Sequence, residues 1–235
     1  YQDVVLHTAS GEAFTAENRV CIFEFDPGYP SWRHHESLYD DVPGMVRHNS
    51  RRATNLVVRM VAVIGNYDYF QDYVFQQDGV IRIRLISTGI DATKGVFSAS
   101  LDDPRAASET QTGTLIAPYR VGVNHDHFFS YRIDMDVDGV DNNFVRQRLV
   151  ATEQPDGAPR QGIWTVQREQ VLTEKQAQTV MKVEKPALLT FASTNAKNAM
   201  GYSTSYQLIL PNTHPLVTLD DAIYQRAGFL KNNLW

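Results

Sequence analysis

A chain of 235 residues, 43% hydrophobic and 21% charged, has the length and composition of a soluble globular domain, able to bury roughly 70% of the surface its unfolded form exposes. A net charge of -5, with no basic tract longer than Arg51-Arg52, excludes a nucleic-acid groove, which needs clustered Lys and Arg. No apolar run approaches the ~18 residues of a membrane helix, and Tyr1 to Val5 carry neither the basic nor the apolar region of a signal peptide.

Residues 1 to 19 mix polar and apolar positions around Gly11 and read as surface connection with a short strand. Val20 to Phe25 is a compact apolar strand stopped by Asp26-Pro27-Gly28. A loop through Pro43-Gly44 follows. Leu56 to Ile64 is rich in β-branched residues and predicts a strand. Tyr69 to Phe75, the turn Gln77-Asp78-Gly79 and Val80 to Ile86 predict a hairpin. Leu101 to Thr112 reads as a polar loop, and Thr114 to Ile116 and Val121 to Val123 as short strands. His125 to Val137 is the longest strand candidate, closed by Asp138-Gly139. Phe144 to Val150, Ile163 to Val171, Leu188 to Ala192 and Tyr206 to Leu210 complete the series. Leu219 to Phe229 is the one stretch with helical spacing. Short strands with regular turn signals predict an all-β sandwich or barrel. The ending at Leu234-Trp235, without a polar tail, is expected of a chain cut inside a fold.

Three stretches carry possible chemistry. In Asn124-His125-Asp126-His127, a strand would turn both imidazoles to one face and Asp126 away. Imidazole suits copper, zinc, iron and nickel alike, and two ordinary strand histidines would read the same way. A cupin also uses His-x-His but follows it with Glu, where this chain has Phe128, Phe129, Ser130 and Tyr131. Gly65-Asn66-Tyr67-Asp68-Tyr69 sets polar residues directly after an apolar strand, which suggests a site at a strand end, although tyrosine in a β-protein is ordinarily packing. Asp134-Met135-Asp136-Val137-Asp138 offers hard oxygens suited to calcium or magnesium. On a regular strand from His125 its even-numbered carboxylates would face away from the histidines, and from the residues alone a solvated strand end running into the Asp138-Gly139 turn is the favoured reading. His34 and His35 are expected to organise a loop or line an approach to the site, and His7 and His48 to lie on the surface.

Asn66-Tyr67-Asp68-Tyr69 resembles the Asn-Tyr-Asp/Glu-Tyr motif of the copper-containing amine oxidases, and His125-Asp126-His127 resembles that family's copper pair. Val20 to Glu24, Phe75 to Gly79, Thr88-Gly89-Ile90 and Tyr131 to Gly139 are also similar to family sequence, so the resemblance runs in order through essentially the whole chain. It implies that Tyr67 is the catalytic residue, the precursor of topaquinone, with Asn66 and Asp68 beside the cofactor. It implies copper on His125 and His127, and a second metal, calcium, on Asp134, Asp136 and the backbone carbonyl of Met135. A Glu near Glu174 would serve a further calcium site. The implied fold is a large antiparallel β-sandwich catalytic domain, of which residues 1–235 form a portion incomplete at both ends.

The implied activity is oxidation of primary amines by O2 to aldehyde, ammonia and hydrogen peroxide, in a homodimer. The family's catalytic base, an upstream Asp, and its third copper histidine are expected outside this chain, so the piece alone is expected to be inactive. His214 matches a different family stretch and is not assigned to copper. Cys21 resembles a cysteine whose disulfide partner lies upstream of Tyr1, which favours secretion over a peroxisomal location, although no Asn-x-Ser/Thr sequon is present. Val63 stands where the family usually has Thr, which removes a hydroxyl near the cofactor. Neutral imidazoles are needed to hold the metal, so acid is expected to cost copper. The competing readings are a non-catalytic β-sandwich binding module and a different mononuclear metal oxygenase.

Overall fold

The computed structural model describes residues 1–36, 42–44, 48–125, 127, 129, 131–178 and 186–210. It clusters into two compact units, Tyr1–Phe128 and Phe129–Trp235. The first is built on an antiparallel sheet of β1 (Gln2–His7), β2 (Ala13–Phe25), β5 (Asn55–Ile64), β6 (Tyr67–Phe75) and β7 (Ile81–Gly89), in that order. Between β2 and β5 in sequence, β3 (Pro30–His35) and β4 (His48–Arg52) form a separate hairpin. β8 (Thr93–Gly95), β9 (Gly113–Ala117) and β10 (Arg120–Val123) make a small sheet ordered β8-β10-β9.

The pleat explains how the main sheet packs. Along β5 and β6, Val57 faces Val74, Arg59 faces Asp72 and Val61 faces Phe70 on one side. Val57 and Val74 are buried there. In the same row, Cys21, Arg59, Asp72 and Arg84 stand opposite one another across β2, β5, β6 and β7. The Asp72 carboxylate is fully buried. Arg59 donates to both of its oxygens at 2.7 and 2.9 Å, and Arg84 donates twice to Oδ2 at 3.0 and 2.6 Å. The guanidinium of Arg59 also lies over the rings of Phe23 and Phe70, 5.3 and 5.4 Å from their centroids. A buried charge is tolerable only when paired and hydrogen-bonded, and both conditions are met here. The alternate side of β6 is thereby left to Tyr67 and Tyr69.

The second unit holds β11 (Asn142–Glu153), β12 (Gly162–Val171), β13 (Leu188–Lys197) and β14 (Ser203–Leu208), ordered β12-β11-β13-β14 and antiparallel throughout. Phe144 and Phe191 face each other across β11 and β13, with ring centroids 5.1 Å apart. The hairpin joining β11 to β12 turns at Pro155-Asp156-Gly157, where Ala158 donates to the Pro155 carbonyl at 3.1 Å.

The expected antiparallel all-β class holds, and several boundaries change. The first 19 residues contain β1 and the first half of β2, which starts at Ala13 rather than Val20. β3, β4 and β8 carry no apolar run and were not expected as strands. The loop from Leu101 to Thr112 includes the single-turn helix α1 (Ala106–Glu109), and α2 (Glu174–Ala177) is equally short. One turn is too brief to show a 3.6-residue period. The largest correction concerns His125 to Val137: the described residues of 125–136 belong to no strand, and β11 begins only at Asn142. The alternation of Tyr131, Ile133, Met135 and Val137 is real, but a strand also needs a ladder partner. Here the Asn142 side chain instead takes the Met135 carbonyl at 2.8 Å and the Val137 amide at 3.2 Å. The helix expected over Leu219 to Phe229 lies outside the described residues, as does His214. Among the described residues, no helix is long and apolar enough to cross a membrane.

Candidate active site

Tyr67 opens β6 immediately after a two-residue turn. Gly65 takes φ +62, the left-handed conformation that costs glycine least. Asn66 is latched to Ile90 in both directions: its side-chain amide donates to the Ile90 carbonyl at 3.0 Å, and its own carbonyl accepts from the Ile90 amide at 3.0 Å. Gly89 pairs with Tyr67 in the ladder. Its φ is +131, and an added Cβ would meet the Asn66 carbonyl and lie 2.8 Å from the Tyr67 Cα. Glycine at position 89 therefore lets β7 close directly against the backbone of Tyr67.

A closed ring of hydrogen bonds holds the Tyr67 phenol. Its oxygen lies 2.7 Å from His125 Nε2. His125 Nδ1 lies 2.8 Å from the Val123 carbonyl. A carbonyl only accepts, so Nδ1 carries the proton and Nε2 receives the phenol hydrogen. The Val123 amide donates to the Ala92 carbonyl at 2.9 Å, and the Ala92 amide donates to the Tyr67 oxygen at 3.2 Å. Through these links the end of β10 and the segment entering β8 set the phenol and the imidazole on each other.

His127 completes the cluster. Its ring meets Tyr67 edge-on, with centroids 4.8 Å apart, and its centroid is 4.7 Å from that of His125. Its Nδ1 is hydrogen-bonded to the Tyr69 hydroxyl. The two histidines converge as the sequence suggested, for a different reason: they lie past the end of β10 and outside any strand. Asp91 stands 4.0 Å from His125 Nδ1. Among the described residues no group of three or more His, Cys, Asp or Glu is placed to hold a metal ion.

The family model described as "Copper amine oxidase, enzyme domain" matches residues 1–235. The chain belongs to the copper amine oxidase family. A relative in Arabidopsis thaliana, "Amine oxidase [copper-containing] alpha 2, peroxisomal", is 34% identical over 100% of this chain and 34% of its own length. The "Primary amine oxidase" of Klebsiella aerogenes is 34% identical over 99% of this chain and 30% of its own. The chain thus spans about a third of the length of these curated relatives. Among solved structures, a copper-containing benzylamine oxidase from Hansenula polymorpha superposes with a TM-score of 0.75 at 24% identity, over 94% of this chain and 32% of that one.

Within this member of the family, the motif residues fall unevenly. Tyr67, His125 and His127 come together, and Asn66 braces the turn beside them. Asp68 and Val63 pair with each other across β5 and β6. By the alternation of the strand they lie on the face opposite Tyr67, so the absent hydroxyl at position 63 is beside Asp68 and not beside the phenol. Asp134 and Asp136 are exposed in the second unit, and the Met135 carbonyl already accepts from Asn142. Glu174 starts α2. Cys21 is half-buried and forms no disulfide among the described residues. His34 and His35 lie on β3, where His35 stacks on His48 of β4 at 6.4 Å, and His7 and His48 are exposed. Sequence reasoning assigned no role to Tyr69, Ala92 or Val123. Tyr69 was detectable from its two-residue spacing to Tyr67; the other two act through backbone atoms, which leave no sequence signal.

Proposed function

We propose that the full protein containing this chain is a primary-amine oxidase, using copper and a topaquinone formed from Tyr67 to convert an amine, O2 and water to aldehyde, ammonia and hydrogen peroxide. The observation that carries the reading is the Tyr67 oxygen 2.7 Å from His125 Nε2, with the His127 ring edge-on to the same tyrosine. A tyrosine to be oxidised at a metal must sit beside its ligands, and two imidazoles next to Tyr67 support that role.

The donor set fits the metal. The hydrogen bond to Val123 fixes His125 in the tautomer whose lone pair is on Nε2, where it accepts from Tyr67 here and would face a metal that takes the place of that hydrogen. His127 has Nδ1 taken by Tyr69, which leaves Nε2. Imidazole nitrogen suits copper. When bound, copper and the quinone supply the oxygen chemistry and the electron sink for amine oxidation. The chain's own residues hold the ring: Ala92 N–H fixes the phenol oxygen, the Asn66–Ile90 latch fixes the turn before it, and Gly89 admits the close strand contact. The reading further places a catalytic base and a third copper ligand in sequence outside this chain, and calcium on Asp134, Asp136 and the Met135 carbonyl. It treats the two units as portions of one catalytic domain, which the family match across residues 1–235 supports, and it takes the full protein to be a homodimer.

The test is the mass of the Tyr67 peptide from full-length protein purified with copper and air. A gain of two oxygens with loss of two hydrogens is expected. Unmodified tyrosine in copper-replete protein would overturn the assignment in favour of a non-catalytic module.

A further inference from the structure

We propose that Tyr69 is a positioning residue for the metal: its hydroxyl holds His127 in the tautomer and orientation that present Nε2. The inference rests on the copper reading above and extends it to a residue that neither reacts nor binds the ion.

β6 turns Tyr67 and Tyr69 to the same face, with ring centroids 6.4 Å apart, and each phenol meets one histidine. The two meetings differ in the nitrogen used. Tyr67 lies on Nε2 of His125, whereas Tyr69 lies on Nδ1 of His127. His125 has its Nδ1 held by a backbone carbonyl, Val123. His127 has the Tyr69 oxygen in the corresponding place, with ring centroids 5.7 Å apart. Each imidazole thus has its Nδ1 engaged by an oxygen, one from backbone and one from side chain. A ligand histidine gains basicity and a fixed ring plane from such an outer partner. With a metal on Nε2, His127 Nδ1 carries the proton and donates to the Tyr69 oxygen.

The same geometry separates the fates of two tyrosines only two residues apart. The Tyr67 oxygen is on the nitrogen where the metal would bind, and it also accepts from Ala92 N–H. The Tyr69 oxygen is on the far nitrogen of its imidazole. Tyr67 is therefore the one exposed to oxidation, and Tyr69 remains an unmodified phenol.

The experiment compares full-length wild type, Tyr69→Phe and, as a control, Tyr73→Phe, whose hydroxyl accepts from Gln71 at 2.5 Å on the same strand. Cu(II) affinity is measured by chelator competition. Pulsed EPR records the modulation from the remote imidazole nitrogens. Expected are a roughly 10- to 100-fold loss of affinity for Tyr69→Phe, a changed coupling for one of the remote imidazole nitrogens, and neither effect for Tyr73→Phe. Unchanged affinity and coupling in a folded Tyr69→Phe protein would overturn the proposal. If that variant does not fold, 3,5-difluorotyrosine at position 69 keeps the ring and hydroxyl while altering the hydrogen bond; an unchanged remote-nitrogen coupling there overturns it equally. Failure of the wild type to bind copper would instead refute the copper reading itself.

Discussion

His125 Nε2 and the Tyr67 phenol oxygen lie 2.7 Å apart although 58 positions separate the residues in sequence. Backbone on both sides enforces the contact, since Val123 orients the imidazole and Ala92 orients the phenol.

Tyr67→Phe removes the hydroxyl and its links to His125 and Ala92 while keeping the ring that packs on His127. We expect a stability loss of about 1 kcal/mol, the net value of an ordinary hydrogen bond, copper retained near the wild-type stoichiometry, and no quinone. Metal analysis, thermal melting and the visible spectrum check the three points. A quinone in this variant would show that another residue carries the cofactor.

Gly89→Ala tests the close strand contact. The new methyl would lie 2.8 Å from the Tyr67 Cα, at a φ of +131 that a side chain rarely adopts. Both effects fall in the range of severe backbone substitutions, roughly 2–4 kcal/mol. Thermal melting should show that loss, and copper-dependent modification of Tyr67 should slow as the backbone shifts. A wild-type melting temperature would mean that β7 can move away freely.

Asp72 should contribute to an acid transition. Arg59's hydrogen bonds, and then Arg84's, hold its carboxyl below the usual carboxylate range against the opposing effect of burial. A depressed folded pKa gives stability that is complete above the unfolded value of ~3.9 and is lost as pH falls through the folded one. Wild type should therefore lose stability below about pH 4, and Asp72→Asn should flatten that part of the profile in chemical-denaturation curves.

Asp72→Ala is harsher, because it strands two guanidiniums. Breaking a buried pair costs about 3–5 kcal/mol. Arg59 and Arg84 side chains keep 27% and 39% of their surface exposed, so the low end, about 3 kcal/mol, is expected. Arg59→Met together with Asp72→Leu should recover part of that loss, and a denaturation series over the single and double variants reads it directly.

Calcium should raise the melting temperature of the full-length protein if Asp134 and Asp136 hold it. At 100 times the dissociation constant the gain is about 2.7 kcal/mol. Asp134→Asn with Asp136→Asn should abolish the calcium-dependent rise and leave the Tyr67 mass shift unchanged. A rise that persists in the double variant would remove these residues from the site.

Most of the strands were legible in the chain, as were the residues that meet at the candidate site. The β-branched run before Gly65 and the Gln77-Asp78-Gly79 turn mark β5 to β7 because local pattern and propensity suffice for a well-paired hairpin. Asn66-Tyr67-Asp68-Tyr69 and His125-x-His127 pointed to the chemistry only through their resemblance to family motifs, because a strand tyrosine or a His-x-His pair taken alone reads equally as ordinary packing. The extended run after His125 misled, since alternation records which faces are apolar and says nothing of whether a neighbouring strand is there to complete the ladder. Only the tertiary structure decided which nitrogen of each histidine is engaged, that Tyr69 partners His127, and that Ala92 and Val123 close the ring around Tyr67. Those outcomes rest on backbone amides and carbonyls, which are the same in every residue, and on distances set by how β6, β7 and the end of β10 meet.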